Sequence, residues 1–174
     1  MPAIILPAPA WRRLAAAVYD GLLLIAVIMV AALAEALARN LIGYARNWSL
    51  LRAWLFLWGL GFFGWFWTHG GQTPGMRAWR LRVRRQDGAG LRWPVAAVRY
   101  AGMLADWLLW LLAPLLLVLP AQTMAPEDQA HRVPVALGAL ILAGAGLVLL
   151  LTDGRRRAPH DRLAGTEVVY EREN

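Results

Sequence analysis

Four stretches of the chain are apolar for longer than a water-facing element tolerates. A helix needs roughly 20 apolar residues to cross a hydrocarbon core about 30 Å thick, and the segments 14–38, 53–68, 95–119 and 133–152 each predict such a span. Asp20 and Glu35 interrupt the first, and Arg99 and Asp106 fall in the first half of the third; the other two carry no charge. The period changes in the connection 69–94, where Trp79-Arg-Leu-Arg-Val-Arg-Arg85 alternates apolar and basic residues before the turn-forming Gln86-Asp-Gly-Ala-Gly90 and then Leu91-Arg-Trp93. A period of two followed by turn residues predicts a short β-hairpin with one face lined by Arg. The β-prone run 166–170 is suited to join it as a third strand. The expected fold is all-α, a single membrane domain over 1–174: a bundle of four transmembrane helices made of two parallel hairpins, with a small cytoplasmic β-hairpin and cytoplasmic segments at 69–94 and 153–174.

Composition narrows the class. With 59% hydrophobic residues against 17% charged in 174 residues and a mean hydropathy of +0.46, a water-soluble globule of this size has no way to hide its apolar area. Cysteine is absent, which removes disulfides, thiolate metal sites and a cysteine nucleophile. All eighteen basic side chains are Arg, and the net charge is +7. Their placement argues for membrane topology and against a nucleic-acid partner, because fourteen lie in 1–13, 69–99 and 153–174 and only four in the alternate connections. By the positive-inside rule both termini and the 69–94 connection face the cytoplasm. Arg without Lys is a mark of GC-rich coding, and the expected location is a bacterial inner membrane.

The two halves of the chain resemble each other. Arg13-Leu-Ala-Ala-Ala-Val-Tyr-Asp20 heads the first span and Arg99-Tyr-Ala-Gly-Met-Leu-Ala-Asp106 the third, while the second and fourth end in Thr68-His-Gly70 and Thr152-Asp-Gly154. Seven residues return the chain to nearly the same helix face about 10 Å further along, so each Arg reaches the headgroups while each Asp lies deeper. A charge at the helix centre costs about 2.5–3.5 kcal/mol on insertion scales. Arg side chains lean toward the helix N-terminus, away from an Asp further on. That leaves Asp106, Arg99, a bound cation or a proton as the partner of Asp20. Asp20 and Asp106 are the candidate site for a proton or small cation; in the alternative reading they only hold helices together.

Three ordered blocks resemble the RDD family of small bacterial membrane proteins, named for one arginine and two aspartates. The first supplies Arg13 and Asp20; the second, Gly71-Gln-Thr-Pro-Gly-Met-Arg77, supplies Gly71, Thr73 and Gly75; the third, His160-Asp-Arg-Leu-Ala-Gly-Thr166, supplies His160, Asp161, Gly165 and Thr166. The resemblance spans 12–170 and implies a polytopic membrane protein suspected of transport, with proton-coupled sodium export proposed for some members. Met76 stands where the family commonly has a basic residue, with Arg77 one place later, so no cation there is assigned to a substrate.

The remaining motifs carry less chemistry. Gly70-Gly-Gln-Thr-Pro-Gly75 frees several backbone N–H groups but lacks the Gly-Lys-Ser/Thr ending of a nucleotide-binding loop, so a turn that redirects the chain is expected. Arg77, Arg80, Arg82, Arg84 and Arg85 are the candidate contacts for anionic lipid headgroups, each worth about 1 kcal/mol near a leaflet surface. Asp161 is expected to accept hydrogen bonds from the 70–75 backbone or to pair with Arg77. One His beside one Asp offers too few ligands for a metal. Gly59-Leu-Gly-Phe-Phe-Gly64 spells a dinucleotide fingerprint but lies inside a span. No cofactor, metal or nucleic acid is expected, and no catalytic constellation points to an enzyme. Two readings of function follow. One is a transporter or ion-coupled permease for a proton or sodium, which needs a homo-oligomer because four short helices enclose little lumen. The other is a non-transporting assembly or lipid-binding accessory protein.

Overall fold

The computed structural model describes residues 4–120 and 125–172. Strand β1 (Ile4–Pro7) leads into helix α1 (Ala10–Ile42), followed by α2 (Trp48–Thr68), the short α3 (Pro74–Ala78) and strand β2 (Leu81–Arg85). The second half repeats that order with α4 (Trp93–Val118), α5 (Pro126–Thr152), the short α6 (Pro159–Leu163) and strand β3 (Thr166–Arg172). Four helices, α1, α2, α4 and α5, are long and apolar enough to cross a membrane, at the places the hydrophobic runs predict. They extend beyond those runs. The 33 residues of α1 make a rod about 50 Å long against a hydrocarbon core about 30 Å thick. Asp20 lies about 15 Å from the start of that rod, in its first third.

Local chemistry sets the helix ends. Gly43 closes α1 in the left-handed conformation (φ 77°), which costs a residue with a Cβ more than it costs glycine. The Asn47 side chain opens α2 by accepting from the Ser49 and Leu50 N–H groups. In α3, α4, α5 and α6 a Pro occupies the first turn, where its missing N–H would have had no helical partner.

α1 packs on α2, α2 on α4, and α4 on α5. The buried positions of these long helices are mostly small, among them Ala16, Ala31, Ala96, Ala113 and Ala139, as expected where helices associate in lipid by close approach. Gly59 lies directly against Tyr100 and Gly64 against Trp93, leaving no space for a methyl group at either. The outward faces carry Met29, Leu108 and Ile141 at 66%, 61% and 71% exposure, an apolar surface suited to lipid.

The strands form one antiparallel sheet in the order β1-β3-β2. The expected hairpin is not formed. β2 pairs with β3, Leu81 opposite Tyr170 and Arg85 opposite Thr166, and segment 91–93 is not a strand. The turn itself is present, with Arg85 N–H donating to the Ala89 carbonyl and Asp87 accepting from Ala89 N–H. After it Leu91 is buried in the core, and Trp93-Pro94 opens α4, so the chain leaves the sheet instead of returning. β1, too short for alternation to signal, adds to the other side of β3 and ends on Pro7, a residue compatible with an edge strand. Phe63, Trp67, Met76, Leu81, Val83, Tyr100 and Val168 form the main core at this sheet end.

The repeat is visible in three dimensions. Pro74 and Pro159 open five-residue helices, each followed by one left-handed residue, Arg80 (φ 56°) or Gly165 (φ 62°), and then a strand. Val83 pairs with Val168, the equivalent position of the other half. Exchanging the halves converts the Leu81–Tyr170 pair into the Arg85–Thr166 pair, so the β2–β3 ladder has a local two-fold relation centred on the two valines.

Candidate functional site

The sheet end is where the charged side chains converge. Asp161 sits in α6 with its side chain fully enclosed. Arg13 reaches it from α1, Arg99 from α4, and the Ala158 N–H donates to it at 2.9 Å. Arg99 also donates to the Thr166 hydroxyl at the start of β3, at 2.8 Å, and its guanidinium lies 4.8 Å over the Trp67 ring. Arg13 extends further to the Arg156 carbonyl. One carboxylate thus ties two long helices, a short helix and the sheet together. Burial alone would raise the Asp161 carboxyl, but Arg99, Arg13 and His160 outweigh it and hold the group well below its ordinary 3.8. The cluster is short of acceptors: among the described residues Arg99 Nε and the Trp67 indole N–H have no hydrogen-bond partner.

Two further carboxylates fasten the short helices. Asp20, 4% exposed, accepts from the Thr73 hydroxyl and from the Gly75 N–H at 2.8 Å, joining α1 to α3. Thr73 also caps α3 by accepting from the Met76 N–H. Glycine is required at 75 because a Cβ there would stand 2.5 Å from the Ala16 carbonyl oxygen. In the second half Asp106 takes the equivalent place and bonds to His160 Nδ1, joining α4 to α6. His160 Nε2 faces Asp161 at 3.9 Å. Burial lowers the His160 imidazole below its ordinary 6.5, with the Asp106 hydrogen bond and the Asp161 charge pulling the other way.

Several expectations are corrected by these contacts. Asp161 takes Arg13 and Arg99, not Arg77, and the backbone of the 70–75 turn serves Asp20 instead. Sequence spacing cannot show this, because the partners come from different elements. Asp20 and Asp106 do not meet: each binds the short helix of its own half. An apolar groove of about 500 Å³ lies beside α2 and a cavity of about 310 Å³ near Arg82 and Arg84, and neither of these is lined by Asp20 or Asp106. Gly71 (φ 71°) accepts from the Val83 N–H at 2.7 Å, so the turn is stitched to β2. Gly165 supplies the left-handed step into β3.

The five arginines expected at lipid headgroups divide. Arg82 pairs with Glu171, Arg84 with Glu167 and Arg85 with Asp87, while Arg77 and Arg80 are exposed. Glu167 and Glu171 lie on β3, the strand that replaces the expected hairpin partner. Arg12 was not singled out by its sequence context; it lies 4.2 Å over the Tyr170 ring and 4.8 Å over Trp11. At the end of α5, Asp153 accepts from Arg157 and is held well below its ordinary value by those hydrogen bonds.

Comparison with known proteins bears on the blocks that build this cluster. Neither a curated protein nor a solved structure matches the chain significantly. The model of the RDD family matches residues 7–165, a range that contains Arg13, Asp20, the 70–75 turn and Asp161. With four helices apolar enough to span a bilayer and a family match over most of its length, the chain is a multi-pass integral membrane protein belonging to the RDD family.

Proposed function

We propose that the protein is a non-transporting membrane accessory protein, not an enzyme, that assembles in a bacterial inner membrane and holds anionic lipid at its sheet end. In this reading the sheet and both termini face the cytoplasm and the two long hairpins enter the bilayer in parallel. The observation that carries it is the use of the acids: Asp20, Asp106 and Asp161 each bind another segment of the same chain, so the carboxylates act as fasteners. Lipid binding is supported by charge. The sheet-end segments hold fourteen Arg against six acids, and Arg77, Arg92 and Arg156 are exposed there, each worth about 1 kcal/mol beside an anionic leaflet.

One observation favours transport as a second reading. The Asp106 side chain is 26% exposed and contacts an imidazole, a pair suited to handing on a proton. Native mass spectrometry of the detergent-purified protein and flux in liposomes separate the two. The accessory reading expects retained phosphatidylglycerol in preference to phosphatidylcholine, weakened in the Arg77→Gln, Arg92→Gln double variant, and no proton or sodium flux. Flux that disappears in folded Asp106→Asn protein would establish the second reading instead.

A further inference from the structure

The internal repeat isolates one difference between otherwise equivalent joints. In the first half Asp20 holds α3 through a hydroxyl and a backbone N–H, groups that do not titrate in the physiological range. In the second half the residue at the position of Gly75 is His160, and the equivalent carboxylate, Asp106, holds α6 through its imidazole. The His160 side chain fills the space next to Gly102 of α4, where an added Cβ would stand 3.0 Å from the His160 Cβ. The α4–α6 joint therefore closes on a titratable ring, and the α1–α3 joint does not.

We propose that His160 is a proton-binding site that latches α6 to α4: neutral, it donates from Nδ1 to Asp106 and keeps the joint closed; protonated, it releases the joint. The inference does not depend on whether the protein moves ions. Burial decides the direction: the His160 side chain is only 14% exposed, and its loss of water outweighs the pull of the two carboxylates that face it. Asp106 and Arg99 face it from α4, Arg13 from α1, and Asp161 from its own helix. α5 presents uncharged Gly146 to the neighbouring Pro159, and β3 offers the Thr166 hydroxyl to Arg99 and Asp161. With His160 neutral, two guanidiniums balance two carboxylates. A protonated ring adds a third positive charge to an enclosed site whose Asp161 already accepts from two arginines and the Ala158 N–H. The depressed imidazole value agrees. The closed joint binds a proton less well than a hydrated imidazole does, so closure is complete above about 6.5 and weakens as pH falls below it. Because α6 leads through Gly165 directly into the central strand β3, release at this joint is transmitted to the sheet.

Hydrogen exchange on the full-length protein in nanodiscs tests this, read at the amides of Arg162, Ala164 and Gly165, which are bonded within the α6 turn. Arg77, Trp79 and Arg80 of the α3 turn are the internal control. After correction for intrinsic exchange, α6 protection is expected to be lower at pH 5.5 than at 7.5 by up to about tenfold, with α3 unchanged. In His160→Gln the α6 values should be independent of pH. Should that variant fail to fold, Asp106→Asn serves, since its amide oxygen still accepts from Nδ1 and the pH response should persist. Equal α6 protection at both pH values overturns the proposal. So does a response that survives in His160→Gln, or one that vanishes in Asp106→Asn and so assigns the proton to the aspartate.

Discussion

Asp161→Asn removes the charge on which the sheet end converges. The native carboxylate is fully enclosed and receives Arg13, Arg99 and the Ala158 N–H. An amide offers one acceptor oxygen and turns an NH2 group toward donors, leaving two guanidiniums without the carboxylate that both contact. Breaking a buried ion pair from one side costs about 3–5 kcal/mol, equivalent to a fall in Tm of about 6–20 °C for a chain of this length. Asp87→Asn is the control, because the Arg85–Asp87 pair is 36% and 53% exposed and such pairs are worth about 1 kcal/mol or less. Thermal unfolding in nanodiscs followed by tryptophan fluorescence reads both, since Trp67 lies against Arg99. The pH dependence carries a sign as well. Asp161 titrates below its ordinary 3.8 in the folded protein, so its stabilisation is present above 3.8 and is lost as pH falls through the lower folded value. Asp161→Asn should lack that acid-dependent loss. If its Tm lies within the range of Asp87→Asn, the cluster does not hold the helices to the sheet.

Gly75→Ala forces a Cβ to within 2.5 Å of the Ala16 carbonyl oxygen and 2.8 Å of the Asp20 carboxyl and should cost about 1–3 kcal/mol by overpacking. Gly102→Ala, at 3.0 Å from the His160 Cβ, should cost less in the same Tm measurement. Because the chain has no native cysteine, Ala89→Cys in the exposed turn after β2 gives a single thiol. It should resist a membrane-impermeant maleimide applied from the periplasmic side, and labelling there would invert the proposed topology.

What the sequence disclosed follows the range of each interaction. The four long helices were legible because their signal is continuous apolar composition, read without any knowledge of partners. The half-chain repeat was legible from Arg13/Asp20 and Arg99/Asp106, and the structure extends it to Pro74/Pro159 and Val83/Val168. β2 was legible from its period of two, but its partner was not. Glu167 and Glu171, which face Arg84 and Arg82, lie in the last residues of the chain, and no local rule joins them to a strand so far away. The pairing of Asp161 was hidden for the same reason: α1, α4 and α6 each supply one member, and only tertiary packing fixes which cation reaches which acid. The family blocks marked Arg13, Thr73, Gly75 and Asp161 as a set without revealing that they form two separate joints.

The two-fold relation of the sheet makes a stronger demand than any single contact. Exchanging the halves carries Asp161 onto Met76 and exchanges Arg13 with Arg99, so the pair of arginines that meets Asp161 should also be within reach of a carboxylate at residue 76. Met76 is 7% exposed and shares the core with Trp67 and Tyr100, and among the described residues Arg99 Nε and the Trp67 indole N–H have no hydrogen-bond partner. An acid at 76 in the native background adds a second carboxylate to a pair of arginines already served by Asp161. In Asp161→Asn it replaces what was lost. Met76→Asp should therefore restore a substantial part of the Tm lost by Asp161→Asn, a positive coupling of the size seen for contacting charges, about 0.5–3 kcal/mol. A buried carboxylate with no cation in reach would make the double variant worse than either single change. An additive or more-than-additive loss in Tm, measured in the same nanodiscs, would mean that the symmetry stops at the strands and does not extend to the arginines.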